Sequence, residues 1–269
     1  MYTFNYHVPK NIDEATALFE KSSEPKYLAG GMTLVASMKQ RLAAPSDLID
    51  LSKIDTLKKI IIEEKNLKIG ALTTHNSISK NEEIQSTISG LCDLSNGIGD
   101  QAIRNFGTIG GSIANADPAA DWPAAILALK SQIETNVRTI NGEEFFKGMF
   151  ETILDEKEII TQILFEIPSY FSYVKFPNPA SRYAIVGIGL AVYDKIARVS
   201  VTGASHTPFR ASEIESALSN NFEIDNIPLN TISSENLNND IHASAEYRSH
   251  LIDVLTKDAV RTYTQQKSK

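Results

Sequence analysis

The sequence is poor in residues that form disulfides or bind metals. Cys92 is the only cysteine among 269 residues, so the chain cannot form an internal disulfide or hold a cysteine-ligated iron–sulfur cluster or zinc ribbon. The five histidines show no paired metal-ligand spacing. We therefore expect no metal bound by the side chains of this protein.

Basic excess and long apolar runs are also missing. The 26 basic and 33 acidic residues give a formal charge of −7, and no lysine or arginine run stands out, which argues against a nucleic-acid partner. No run of ~18 apolar residues is present, and residues 1–10 lack the apolar region of a signal peptide. The sequence therefore predicts a cytoplasmic protein without a transmembrane segment.

What is present is typical of a folded α+β protein, with 42% hydrophobic and 22% charged residues. Apolar periodicity predicts a first helix over residues 11–21, with Asn11 as its N-cap. The other expected elements are strands over 26–29, 47–51, 57–62, 67–70, 133–138, 158–167, 184–193 and 197–203, two short helices over 76–88, and single helices over 33–42, 122–130, 212–219 and 244–263.

Three prolines, Pro168, Pro177 and Pro179, punctuate the chain after the last strand of its first part, and we place a domain boundary near Ser169. The long helix that follows near the C-terminus is expected to carry one apolar stripe, made of Tyr247, Leu251, Val254 and Leu255.

Two double-glycine turns are the most informative local feature. Gly30-Gly31 and Gly110-Gly111 are each expected to precede a helix, where backbone N–H groups and the helix dipole can bind an anion. Two such turns could hold a pyrophosphate from both sides without a lysine, with Thr33 and Thr108 as nearby hydroxyl donors. A single glycine pair is more often only a tight turn, so the pattern leaves a structural role open.

The acidic residues after the second turn also have two interpretations. Asp117 followed by Pro118 predicts a helix N-cap with proline in the first turn. Asp121 either complements the helix dipole or accepts hydrogen bonds from a sugar hydroxyl or a base.

Other nucleotide motifs are absent. There is no G-x-x-x-x-G-K-[ST] sequence, and the pair Gly187 and Gly189 lacks the third glycine of a dinucleotide fingerprint, so we expect it to serve close packing inside a strand. Trp122 is expected in the core, and Cys92 is expected to be a small buried residue.

Five collinear segments resemble the FAD-binding medium subunit of molybdenum hydroxylases, most closely the aerobic carbon monoxide dehydrogenase type, with xanthine dehydrogenase flavin subunits as relatives. The segments are KYLAGGMT (26–33), RLAAP to ID (41–50), IGD through RNFGTIGGS to ADPAAD (98–121), KFPNPASRYAIVG (175–187) and ASAEYR (243–248). The resemblance implies an α+β fold of the PCMH/VAO-like type: an FAD-binding domain over 1–168, with subdomains at about 1–55 and 56–168, and a small α+β C-terminal domain over 169–269.

The same resemblance implies which residues contact FAD. The glycine turns would line the diphosphate, Asp121 the adenosine, and Lys175 and Tyr183 the flavin ring; Met32 departs from the family's usual residue, and the role of Arg104 stays open. No catalytic acid or base and no metal ligand is expected on this chain. The full set of implied contacts is Lys26, Tyr27, Leu28, Ala29, Gly30, Gly31, Met32, Thr33, Ile98, Thr108, Ile109, Gly110, Gly111, Ser112, Asp121, Ile160, Lys175 and Tyr183.

The resemblance also implies partners: a molybdopterin-binding large subunit and a small subunit with two [2Fe–2S] clusters, assembled as a dimer of heterotrimers. Electrons would leave the substrate at molybdenum, pass through the clusters to FAD, and reach NAD or a quinone. Two alternatives stay open at this point: a free-standing FAD-dependent oxidoreductase of similar fold, and a non-catalytic interaction protein whose glycine turns are only structural.

Overall fold

The computed structural model describes residues 1–229 and 231–267. Its N-terminal part is a three-stranded parallel sheet in which the third strand lies between the first two. As predicted, Asn11 caps the first helix, because its side chain accepts a hydrogen bond of 2.8 Å from the N–H of Glu14. The elements are β1 (Asn5–His7), α1 (Ile12–Lys21), β2 (Pro25–Leu28), α2 (Leu34–Lys39) and β3 (Asp47–Asp50).

The middle part is a five-stranded sheet with helices on it. Its central strand, β10 (Ile160–Glu166), runs antiparallel to both of its neighbours, and the sheet order is β4-β5-β10-β6-β7. The other elements are β4 (Ile60–Glu63), β5 (Asn66–Gly70), α3 (His75–Ser79), α4 (Glu82–Thr87), α5 (Ser89–Asn96), α6 (Gln101–Phe106), α7 (Ile109–Asn115), α8 (Trp122–Ala128), β6 (Ser131–Thr135), β7 (Thr139–Asn141), α9 (Gly142–Phe145), β8 (Phe146–Gly148) and β9 (Glu151–Thr152).

The C-terminal part is a four-stranded antiparallel sheet with two helices packed on it. Every residue of its second strand is buried, which explains the continuous apolar run of that strand in the sequence. Gly187 and Gly189 lie in this strand, where an added Cβ would approach the Tyr173 hydroxyl and the Ser200 hydroxyl, so their predicted packing role is confirmed. The elements are β11 (Tyr170–Pro177), β12 (Ala184–Tyr193), β13 (Ile196–Thr202), β14 (Phe209–Arg210), α10 (Ser212–Asn220) and α11 (Ala245–Lys267).

Three apolar cores hold these parts together. The largest surrounds the buried Trp122, as predicted, and it also takes in Cys92, Phe171 and Ala191. Because Phe171 and Ala191 belong to the C-terminal sheet, that sheet packs directly on the middle part. The division of the chain into domains near Ser169 stays a prediction.

Four local expectations are wrong. The helix predicted to reach residue 42 ends at Lys39, because Arg41 adopts a left-handed backbone with φ of 63°. The helices α5 and α6 were not expected from the sequence. Asp117 caps a turn instead of a helix: its carboxylate accepts from the N–H of Ala119 at 2.9 Å, and α8 begins only at residue 122.

The fourth wrong expectation is the apolar stripe of α11. Leu251 and Leu255 are buried, but Tyr247 and Val254 are 44% and 38% exposed. The buried face is centred one residue further on, where Arg248 and Ile252 point into the protein. Among the described residues, none of the helices has the length and apolar character that a bilayer-spanning segment needs.

Candidate functional site

A cavity of about 540 Å³ lies between the N-terminal sheet and the helices of the middle part, a size within the usual range for small-molecule sites. The sequence-predicted contact residues on its wall are Lys26, Tyr27, Leu28, Ala29, Gly30, Gly31, Met32, Thr33, Ile98, Thr108, Gly110, Gly111, Ser112, Asp121, Ile160 and Tyr183. Ile109 and Lys175 are not among the lining residues; Ile109 is fully buried in the core. Contact of each of these residues with FAD stays a prediction.

The first glycine segment (residues 30–33) connects β2 to α2 at the cavity. Gly31 has a φ of +72°, which favours glycine, and a Cβ on Gly30 would lie 2.0 Å from the carbonyl oxygen of Phe106. Within the described chain, none of the backbone N–H groups from Gly30 to Leu34 donates to a protein acceptor. Five adjacent donors are therefore available to a ligand in the cavity.

The second glycine segment (residues 108–112) uses its N–H groups differently. Thr108 is the N-cap of α7, so Gly110 and Gly111 lie in the first turn of the helix and not, as predicted, in a turn before it. The four N–H groups from residue 109 to residue 112 donate, in order, to Thr73 O at 3.1 Å, Ala71 O at 2.8 Å, Thr108 Oγ1 at 3.1 Å and Thr108 O at 3.0 Å. These four N–H groups are therefore not free for a pyrophosphate, and the contact of this segment with FAD stays a prediction.

The second segment instead brings backbones together. A Cβ on Gly110 would lie 2.6 Å from the Cβ of Ala71, and a Cβ on Gly111 would lie 3.4 Å from the Cβ of Ala29. Gly110 thus lets α7 pack against the end of β5, and Gly111 lies next to Ala29, the residue before the first glycine segment.

Lys175 lies behind the cavity wall and joins three of its segments. Its ammonium group donates to Asp121 Oδ1 at 2.9 Å, Gly97 O at 2.9 Å and Arg182 O at 2.8 Å. The three N–H donors of a lysine are all used by these bonds, so the geometry gives Lys175 a positioning role and no free donor for a flavin ring.

Asp121 accepts a second hydrogen bond on the same oxygen, from the hydroxyl of Tyr173 at 2.5 Å. Burial raises the pKa of Asp121, and the adjacent Lys175 opposes that shift. Burial and the nearby Asp121 raise the pKa of Tyr173 well above its usual value. Asp121 lines the cavity and anchors its wall. It precedes α8 without a side-chain capping bond, and its contact with a sugar hydroxyl or a base stays a prediction.

The turn that carries Ile98 is held by cationic side chains. Arg104 Nη1 donates to Ile98 O at 2.9 Å and to Gly99 O at 3.0 Å, and Arg182 Nη1 donates to Gly99 O at 3.1 Å. Gly99 has a φ of +45°, so the turn needs glycine there. Arg104, which the sequence could not assign, fixes the backbone behind Ile98.

Three further residues belong to the site: two lie at the cavity opening, and one was not predicted from the sequence. Tyr183 is 43% exposed and Met32 is 42% exposed, so both side chains reach solvent. His75 also lines the cavity but was not expected there. Its place as the first residue of α3, directly after the helix cap Thr74, was the available signal.

The glycine-walled cavity and its row of unused N–H donors define the class of protein, a binder of a phosphate-bearing dinucleotide. Comparison with known proteins narrows this class. Residues 2–170 match the family described as the FAD binding domain in molybdopterin dehydrogenase. The glyceraldehyde dehydrogenase medium chain of Sulfolobus acidocaldarius is 30% identical over 96% of this chain and 97% of that protein.

Two further similarities agree. The carbon monoxide dehydrogenase medium chain of Hydrogenophaga pseudoflava is 33% identical over 70% of this chain and 69% of that protein. A solved structure of carbon monoxide dehydrogenase from Oligotropha carboxidovorans has a TM-score of 0.87 at 28% identity and covers 96% of each chain. The chain therefore belongs to the family of FAD-binding domains in molybdopterin dehydrogenases, and it is an FAD-binding oxidoreductase subunit of the medium-chain type.

The residues present fit FAD. The free N–H groups of the first glycine segment suit a diphosphate, and the absence of a Cβ on Gly30 leaves its backbone against that of Phe106. The expected family and cofactor are thereby confirmed.

Proposed function

We propose that this chain carries the FAD of a three-subunit molybdenum hydroxylase and delivers electrons from the [2Fe–2S] clusters of a partner subunit to an external acceptor. The observation that carries the proposal is the first glycine segment, which lines the cavity and whose N–H groups have no protein acceptor within the described chain. FAD, when bound, supplies the redox chemistry, and the protein supplies binding and orientation.

The partners follow from what the chain lacks and from its relatives. One cysteine cannot ligate a cluster, so the clusters must lie on another chain. Similar proteins are named medium chain or medium subunit, among them the nicotine 6-hydroxylase medium subunit of Paenarthrobacter nicotinovorans. We therefore propose a molybdopterin-binding large subunit and a small [2Fe–2S] subunit, a dimer of heterotrimers in the cytoplasm, and NAD or a quinone as the acceptor.

Flavin binding is tested with the purified full chain. We expect a yellow protein whose absorbance spectrum shows bound flavin and whose extracted cofactor is FAD. A colourless chain that does not bind added FAD would contradict the proposal and favour an interaction protein with structural glycines.

Electron routing is tested with the assembled complex. The chain is co-expressed with its neighbouring genes, the complex is reduced with substrate, and rapid mixing with NAD or a quinone follows flavin and cluster absorbance separately. We expect both absorbances to recover, the flavin without a lag relative to the clusters. If the isolated chain turns over a substrate by itself, it is a free-standing flavoenzyme and the proposed routing is wrong.

A further inference from the structure

His75 lies in the cavity wall beneath the second glycine segment. Its imidazole is 4% exposed and lines the cavity. Its backbone N–H donates to Gly107 O at 2.9 Å, which ties the start of α3 to the residue before Thr108. The backbone of His75 is thus held by Gly107, and its ring is held by Trp122.

Trp122 fixes the tautomer of this imidazole. The indole N–H donates to His75 Nδ1 at 3.1 Å inside the core. Because an indole can only donate, Nδ1 must carry a lone pair, and the ring proton of a neutral imidazole must be on Nε2. Burial and the nearby Arg104 lower the pKa of His75 to about 4, so the ring is neutral at physiological pH.

The Nε2–H group has no protein acceptor among the described residues. A Cβ on Gly107 would lie 2.9 Å from this nitrogen, and a Cβ on Gly30 would lie 2.9 Å from the Cα of Gly107. The unused donor therefore lies close to Gly107, against which Gly30 packs. Nε2 is not among the fully buried side-chain atoms that lack a partner, so this donor is open to the cavity that His75 lines and can reach a ligand atom there.

We propose that His75 Nε2–H donates a hydrogen bond to an oxygen of bound FAD, in its diphosphate or the adjoining ribityl chain. The proposal deepens the FAD site and rests on it. The donor is neutral and has one direction, which Trp122 sets, so it orients the cofactor without adding charge. His75 is a binding residue in this role and takes no part in proton transfer.

Two substitutions separate the two ring nitrogens. In His75→Asn the amide oxygen can replace Nδ1 as the acceptor for Trp122, but no donor remains at the position of Nε2. In His75→Gln the longer amide can replace Nε2 as the donor, but the acceptor for Trp122 is lost. We expect the Kd for FAD of the full chain to rise about tenfold in His75→Asn and to stay within about threefold in His75→Gln, the size of effect of one hydrogen bond.

Thermal unfolding of the FAD-free variants provides the control for folding. A merely structural His75 gives the reverse order, because His75→Gln loses the buried bond to Trp122. Wild-type affinity in His75→Asn overturns the proposal, as does an FAD affinity that follows unfolding temperature in both variants. If the wild-type chain itself binds no FAD, the FAD site fails instead, so the two failures are distinguishable.

A measurement on the wild-type chain avoids substitutions altogether. In protein with ¹⁵N-labelled histidine, FAD is expected to shift the His75 Nε2–H resonance downfield. A scalar coupling to ³¹P identifies a diphosphate oxygen as the acceptor, and a shift without that coupling identifies a ribityl oxygen. An unchanged resonance at saturating FAD overturns the proposal.

Discussion

The two glycine segments have similar sequences and opposite uses of the backbone. Gly30-Gly31 follows β2 with no capping side chain, and the N–H groups up to Leu34 are free of protein acceptors. Gly110-Gly111 follows the cap Thr108, and the N–H groups of residues 109–112 are used inside the protein. A glycine pair therefore reports where backbones come close, and the residues around it decide whether the N–H groups reach a ligand.

The difference assigns the two segments different tasks. The first segment keeps its N–H groups free at the cavity, whereas the second anchors α7 to the backbone of residues 71–73. Substitutions in the first segment should change FAD affinity, whereas substitutions in the second should change the stability of the protein.

The largest effect is expected for Gly30→Ala. The new Cβ would lie 2.0 Å from Phe106 O, a backbone atom that cannot rotate away, so the first segment must move and its N–H groups lose their alignment. We expect FAD affinity to fall at least about 100-fold, measured by quenching of flavin fluorescence. Gly148→Ala is the control, because the atoms nearest to its Cβ all belong to the flexible side chain of Glu151. Equal affinities in both variants would break the comparison.

Lys175→Met should destabilise the whole cavity wall. The buried Asp121 loses its cationic partner, and Gly97 O and Arg182 O lose a donor. We expect a loss of about 3 kcal/mol in the free energy of unfolding, measured with urea. Lys58→Met removes an exposed pair with Asp55 and should cost less than about 1 kcal/mol. Similar losses in both variants would show that Lys175 does not organise the wall.

Gly110→Ala tests the anchoring segment. Its Cβ would lie 2.6 Å from the Cβ of Ala71 and 2.7 Å from the carbonyl oxygen of the same residue, so α7 must move outward. We expect a loss of about 2–3 kcal/mol in the free energy of unfolding of the FAD-free chain, from overpacking. If Gly110→Ala lowers FAD affinity as much as Gly30→Ala while stability is unchanged, the second segment binds directly and the comparison fails.

The sequence predicts the elements well where one local signal decides. Asn11 starts α1 through its side chain, and the apolar run of β12 is buried throughout. It predicts less where tertiary contacts decide. Glycine suits both a turn and a close packing position, so nothing local indicated that Gly110 lies inside a helix turn against Ala71.

The same limit applies to the site. The segments around both glycine pairs carry recognisable motifs, so their place in the cavity wall could be predicted from the sequence. Lys175 is in a matching motif as well, yet its donors are taken by three partners, of which Gly97 and Asp121 are distant in sequence. His75 has no motif, and only the fold brings its ring to Trp122, forty-seven positions further along the chain. Roles that depend on such long-range partners cannot be derived from spacing alone.

The smallest expected effect is a pH dependence that sharpens the anchoring role of the second segment. The pKa of His75 is about 4 in the folded chain, against an ordinary value of about 6.5 for unfolded histidine. Between these values the unfolded chain binds more protons, so the stability contributed by the neutral ring is complete above pH ~6.5 and is lost as the pH falls towards ~4. We expect about 2 kcal/mol less stability at pH ~5 than at pH ~7 from this residue. Urea unfolding of the FAD-free wild type and of His75→Asn isolates this part, because other groups titrate equally in both. Parallel pH profiles in the two proteins would mean that His75 is not held neutral beneath α7.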